Sequence, residues 1–410
     1  MTFLITCLMT ALAMFQSSPA PEVMPQGALS REKPKLWWFS FDIRINTLAS
    51  PNNDRPFRMP LIVQGSWSEL LIKTLQVEAR RNNTPTAVLA GEQSIKGRGP
   101  QGEQLVSSNV PLASNEHIRS SAFAIMSVSA ELVSWNSVVN EDMAAATIWP
   151  AQWPSDVTQA LQPQALIESD EPIFQETIKS LFGQNLRMTP PWLVAKALTQ
   201  YTCNNIKISG SRTLRGSSGR VRGLNVQGAL ATATTGTGTR ADLTCTCVAM
   251  LRAAGIPARP VVGISDRVKS GDELTTWAEF FLPGSGWVPF SPWQMQNGGV
   301  RSWKLNRPWR YFGNWNSLNE HVPFAWSFAP DDGSTVHDTW ALWGWTRAIQ
   351  GIDIPLPNPG PGTHGADINY AYVPSQCSTR LISGGSLGPQ QLQEWKTGTA
   401  RPLQRGNSRK

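Results

Sequence analysis

Histidine is scarce in this chain: four residues in 410, and none between His117 and His321. Any chemistry in that middle stretch that needs an imidazole must import it from a distant segment. Cysteine is almost as sparse. Of five, Cys7 lies in an N-terminal apolar run, and Cys203, Cys245, Cys247 and Cys377 lack the paired spacing of a zinc site or a disulfide-dense scaffold. Packing thiols, with at most one disulfide among them, are expected, and no metal or cofactor is implied. No apolar stretch reaches the ~20 residues of a membrane-spanning helix, so no stable membrane span is expected. The net charge is +7, yet no block of Lys and Arg reads as a nucleic-acid motif. Scattered basic residues describe a mildly basic surface, and a nucleic-acid partner is not expected.

What is present is apolar and turn-rich. Hydrophobic residues make up 40% and charged residues 16%, with 33 Gly, 31 Pro and 18 Trp. That balance is globular, and its turn residues argue for strands and loops over a helical bundle. The length points to two or three packed units. Phe3 to Phe15 is uncharged and apolar and runs into Gln16, Ser17, Ser18, Pro19 and Ala20. This reads as a signal peptide over residues 1–20 and hence export to the periplasm, cell envelope or medium, an uncleaved anchor being the alternative.

From Trp37 to Ile45 the odd positions are apolar and the even ones include Ser40, Asp42 and Arg44, the period of a half-buried strand. Further extended segments, Glu69 to Val77 and Ala122 to Val133, complete a β-sandwich expected over residues 35–150. The character then changes to helices. One is expected after an Asp170 cap, carrying Ile173, Ile178, Leu181 and Phe182 on one face and stopping at Gly183. A second starts at Thr189 and Pro190 and frays near Asn204. Ser211 to Thr239 reads as a long polar loop, a length more typical of functional segments than of connectors. The next helix is expected to open at Asp242 and to close before Gly255 and Pro257, burying Leu243, Cys247, Met250 and Leu251. Extended Arg259 to Ile264 and Leu274 to Leu282 follow, and Pro283 to Gly286 turns the chain into Trp287 to Phe290. Helices followed by an antiparallel sheet make an α+β unit over residues 155–345. Its last part is a Trp-rich extension containing Trp303, Trp309, Trp315, Trp326, Trp340, Trp343 and Trp345, and residues 346–410 read as an irregular, largely disordered tail.

The string Leu251-Arg252-Ala253-Ala254-Gly255-Ile256-Pro257-Ala258-Arg259, followed by Trp277-Ala278-Glu279 and Gly286-Trp287-Val288-Pro289, resembles the transglutaminase-like superfamily. The front sandwich and the helices of residues 155–203 are similar to those of exported bacterial members, so the resemblance spans roughly residues 35–345. It implies a papain-like thiol mechanism: a Cys nucleophile at the start of the central helix, a His base two residues before the Trp-x-Glu, and an orienting Asp before a Pro. The family spacing places those roles at Arg240, Thr275 and Ser291. A guanidinium is no nucleophile, a threonine no base near neutral pH, and a serine carries no carboxylate. The triad is therefore expected to be degenerate.

The fallback nucleophiles are Cys245 and Cys247. The first would sit a full turn inside the helix and the second on its buried stripe, neither near an imidazole supplied by this stretch. Asp242, Trp277, Glu279 and Trp287 are candidates for the relict cleft. Arg240 is expected to seal that cleft by pairing with Glu279 or Asp242, a solvated loop charge being the alternative. These readings describe an exported transglutaminase-like protein without catalysis, binding peptide, protein or glycan material. The rivals are an active thiol amidase, peptidase or crosslinking enzyme that uses a displaced Cys, and a structural envelope protein.

Overall fold

The longest strand is β1 (Leu29–Asn46), and its alternation is legible residue by residue. Trp37, Phe39, Phe41 and Ile43 are fully buried, whereas Ser40, Asp42 and Arg44 on the other face are partly exposed. The computed structural model describes residues 24–46, 55–81, 84–99, 101–110, 123–216, 219–266, 274–328, 335–336, 344–346, 375–400 and 403. The expected signal segment, Trp340, Trp343 and residues 347–374 lie outside these.

Strand β1 pairs antiparallel with β2 (Phe123–Val139), from Leu29 opposite Val139 to Asn46 opposite Phe123. They are central in an eight-stranded sheet whose order runs 213–215, 221–224, 375–386, β1, β2, 76–81, 84–90, with 68–70 also on β2. A five-stranded sheet holds Arg55–Leu61, Ile95–Arg98 and Gln104–Val110. Met59, Leu61 and Val106 of the second sheet enter the same apolar cluster as Phe39, Phe41, Val77 and Val128 of the first, so the two pack as a sandwich.

Two expectations fail here for one reason. The segment read as an irregular tail contains the strand Ser375–Ser386, paired along β1 with Ile43 opposite Cys377, and the helix Pro389–Thr397. The segment read as a polar loop contains a hairpin, Thr213–Arg215 with Val221–Leu224, whose Val221 pairs with Cys377. Both are Gly-, Ser- and Arg-rich and lack a strand's own signal. Pairing with a strand that is already buried supplies the hydrogen bonds and the apolar neighbours that their sequences do not announce.

The helical unit follows the predicted order with shifted ends. Helix α1 (Pro172–Phe182) is capped at Glu171, not Asp170, and ends at Gly183 with φ 55°. Helix α2 (Pro191–Asn205) starts one residue later than expected. Helix α3 (Arg240–Ala253) opens at Arg240, two residues before the predicted Asp242, because Thr239 is its cap. The sheet beside α3 has the order Gly286–Phe290, Thr275–Leu282, Ala258–Ser265, His321–Ala325, all antiparallel; in chain order these are β3 (Ala258–Ser265), β4 (Thr275–Leu282), β5 (Gly286–Phe290) and β6 (His321–Ala325). The short helix α4 (Pro292–Asn297) follows β5. Every residue of α3 from Ala241 to Arg252 is buried, so the helix is enclosed by its own unit. Among the described residues no helix is long and apolar enough to cross a membrane.

Candidate functional site

The start of α3 is fixed by a reciprocal cap. The Thr239 hydroxyl accepts from the Asp242 amide, and the Asp242 carboxylate accepts from the Thr239 amide at 2.7 Å and its hydroxyl at 2.9 Å. It also accepts from the amides of Gln227 and Gly228, at 2.7 and 3.1 Å. Asp242 is thus a buried cap, not a cleft residue, and it partly offsets the positive end of the helix dipole.

This cap sends Arg240 outward as the first helical residue. Its guanidinium carbon sits over Trp293 of α4, 3.8 Å from the ring centre, and partial burial lowers its pKa from the ordinary value. Ser291 caps α4: its hydroxyl accepts from the Gln294 amide, and its own amide donates to the Tyr311 carbonyl at 2.9 Å. Thr275 opens β4 opposite Gly263 of β3. A Cβ at Gly263 would collide with the Val322 carbonyl and come within 2.9 Å of Trp277, so the glycine lets β6 and the indole close in. Its neighbour Thr276 points the other way, its hydroxyl 3.3 Å from that of Thr244 on α3.

Arg240, Thr275 and Ser291 line one small cleft that opens to solvent. Trp277, Trp293 and Trp315 form its aromatic walls, and Arg212, from the edge hairpin of the sandwich, and His321 complete it. Sequence reasoning missed Arg212 and His321 as contributors. Arg212 lies in the segment read as a loop, and His321 opens β6, 46 positions from Thr275, with no motif to announce either. The His321 ring packs edge-on against Trp277 at 5.5 Å and Trp315 at 5.0 Å, with Nδ1 3.1 Å from the Ser317 carbonyl.

Two cleft candidates belong elsewhere, and the expected seal does not form. Glu279 accepts from Arg259 Nε at 2.9 Å and Nη2 at 2.8 Å. The same guanidinium is held between Trp287 at 3.8 Å and Trp326 at 3.6 Å. Glu279 and Trp287 therefore form a buried seam behind the cleft, facing the sandwich. Among the described residues no carboxylate pairs with Arg240, whose guanidinium is covered by Trp293 instead. Pairing across β3 and β4 explains this: Arg259 stands directly opposite Glu279 and reaches it first.

The fallback thiols are unsuited to nucleophilic attack. Cys245 is fully buried, and burial, then the charges of Asp242 and Glu168, raise its pKa well above the ordinary 9.0. Burial, then a hydrogen bond with Cys203, does the same to Cys247. The thiolate is the reactive form, and burial disfavours it in both. Neither lines the cleft. No cluster able to hold a metal occurs among the described residues.

A buried central helix whose N-terminal residue faces the start of an adjacent antiparallel strand across a cleft is the ground plan of a papain-like α+β unit. Residues 183–292 match the sequence model of the transglutaminase-like superfamily, so this segment is a transglutaminase-like core. Of solved structures, a candidate cysteine protease from Cytophaga hutchinsonii is similar at 15% identity and TM-score 0.46, over 88% of this chain and 93% of that one. The periplasmic domain of TgpA from Pseudomonas aeruginosa is similar at 14% identity and TM-score 0.31, over 68% of this chain and 98% of that one. No functionally curated protein matches the chain.

Proposed function

We propose that the chain is an exported binding module on a transglutaminase-like core, with the cleft kept and the thiol chemistry lost. One observation carries this reading: Arg240, Thr275 and Ser291 meet around one cleft, and none can supply a nucleophile, a base or an orienting carboxylate. The two nearby cysteines are sequestered inside α3. What remains is a recess with aromatic walls, a stacked cation and hydroxyls, able to hold a polar group beside an apolar one. Peptide or cell-envelope material is the ligand class this suits, and the apolar N-terminal run supports its encounter outside the cytoplasm.

The test restores the lost groups. Arg240→Cys, Thr275→His and Ser291→Asp together should give a thiol alkylated by iodoacetamide at pH 7 roughly tenfold faster than Arg240→Cys alone. An imidazolium partner lowers a thiol pKa, which Asp242 beside the helix end opposes. Peptide mapping by mass spectrometry assigns the label to position 240. Equal pH profiles for the two variants would show that these positions do not act together. Amide hydrolysis or transfer by the unaltered protein, abolished by Cys245→Ala or Cys247→Ala, would sink the non-catalytic reading outright.

A further inference from the structure

One side of helix α2 carries two features that the cleft does not use. The first is charge. From Phe280 to Asn319 the sequence has no Asp or Glu, and its four cations, Arg301, Lys304, Arg307 and Arg310, fall within a single short stretch. All four are exposed. Their platform is built from beneath. Lys196 of α2, fully buried, donates from Nζ to the Leu305 carbonyl at 3.2 Å and the Arg307 carbonyl at 2.8 Å. Gln200, one turn on, donates to the carbonyls of Val300 and Trp303 at 2.7 and 2.8 Å. Trp309 closes the loop from its other end, with Nε1 2.9 Å from the Lys304 carbonyl and its ring 5.7 Å from that of Trp303. These carbonyls face inward while the cations stand on a fixed backbone, so little ordering is left to oppose binding.

The second feature is apolar. Eight large hydrophobic side chains stand exposed among the described residues, and four of them, Met143, Ile148, Met188 and Leu305, belong to segments that meet along this side. Ile148 is 79% exposed and Met188 80%. The joints between the segments are explicit. The Lys196 ammonium that holds Leu305 also binds Glu141 at 2.9 Å, at the head of the helical turn Glu141–Ala145 that carries Met143. Trp149, beside Ile148, donates from Nε1 to the carbonyl of Thr189, beside Met188, at 2.7 Å. The exposed Arg187 lies over the same indole, 4.1 Å from the ring centre. Acidic charge is present at Asp142, which is exposed, and at Glu141, which is tied to Lys196 and Trp192. The cations outnumber it.

Cations set among protruding methionine, leucine and isoleucine side chains suit the boundary between lipid headgroups and acyl chains. A soluble polyanion would use the charges but gain nothing from Ile148 and Met188. We propose that this face docks the protein on a bilayer containing anionic lipid, with Arg187 and the four cations of residues 301–310 against the headgroups and the four apolar side chains at the acyl boundary. Helix α4 places Trp293 in the cleft wall and leads into the basic loop, so docking brings the cleft beside the membrane surface. The proposal stands on this face alone and holds whether or not the cleft is catalytic.

The test is sedimentation of the full chain with phosphatidylcholine vesicles, with and without about 30 mol% phosphatidylglycerol. Partitioning should be roughly tenfold or more stronger on the anionic vesicles and should weaken with added salt. Lys304→Glu with Arg307→Glu should remove most of that preference. Ile148→Ser with Met188→Ser should weaken binding to the anionic vesicles roughly fivefold. All four positions are exposed, and urea midpoints matching the parent show that the folds are intact. The comparison of vesicles on the unaltered protein needs no variant. Equal partitioning to the two vesicles, or none to either, overturns the proposal. Binding that survives the charge reversal also overturns it, because the apolar N-terminal run, common to every variant, then accounts for the attachment. Charge-dependent binding that ignores the Ile148 and Met188 substitutions and is abolished by soluble polyphosphate assigns the loop to a soluble polyanion and overturns docking on lipid.

Discussion

Among the arginines whose guanidinium groups sit over tryptophan rings, Arg259 and Arg240 have opposite fates. Arg259 is enclosed, held between Trp287 and Trp326 and paired with Glu279, with both side chains almost wholly buried. Arg240 is covered on one face by Trp293, is half-buried, and faces a cleft lined by no carboxylate among the described residues. The same side chain serves cohesion in one place and is left available in the other. What differs is the partner across the strand pair: Arg259 meets a carboxylate in register, and Arg240, at a helix end, is covered by a tryptophan ring. A stacked arginine therefore signals a ligand site only where its charge has not been answered within the fold.

The largest expected effect tests the enclosed member. Arg259→Ala should destabilise the protein by about 3–5 kcal/mol, because it strands the buried Glu279 carboxylate and opens a gap between two indoles. Urea unfolding measures this, and a loss below about 1 kcal/mol would mean the seam is not closed in solution.

The seam should also carry its own pH dependence. Glu103 is completely buried beside it, accepting from the Ser327 hydroxyl at 2.7 Å, and burial raises its pKa above the ordinary 4.5 despite that hydrogen bond and the nearby Arg259 charge. A carboxyl whose folded pKa is raised binds its proton more tightly in the folded state. Its contribution is complete below the ordinary value and is lost as pH rises through the raised one. Glu103→Gln should flatten this fall, seen as a smaller drop in urea midpoint from pH 4 upward than in the parent. Identical slopes would show that Glu103 binds its proton no more tightly in the folded state than in the unfolded one.

The smallest effect sharpens the contrast. Arg240→Ala should cost only about 0.5–1 kcal/mol, the worth of an exposed cation–π contact, and it could even stabilise by removing the repulsion with Arg212. A loss as large as that of Arg259→Ala would mean that Arg240 is structural and would erase the distinction between the two sites.

Much of this was legible in the chain because the signals are local. The alternation from Trp37 to Ile43, the helix stops at Gly183 and Gly255, and the turn at Pro283 to Gly286 each depend on neighbours within a few residues. Motif spacing also singled out positions 240, 275 and 291, which line one cleft. Helix starts were read one or two residues off because several caps compete locally, and only the geometry shows that Thr239, not Asp242, leads α3. The cleft candidates divided by direction: Trp277 stayed in the cleft, whereas Asp242, Glu279 and Trp287 were claimed by the cap and the seam.

The sequence by itself determined many of the elements of this protein and the α+β order of its core, because periodicity and punctuation act over short distances. Only the tertiary structure decided which charges are answered. It placed Ser375–Ser386 on β1, swung Arg212 over the start of α3, set His321 beside Trp277 and gave Glu279 to Arg259. These are long-range choices, governed by which partner reaches a buried group first, and an unpaired charge in a low-dielectric interior costs too much for that partner to be left to chance.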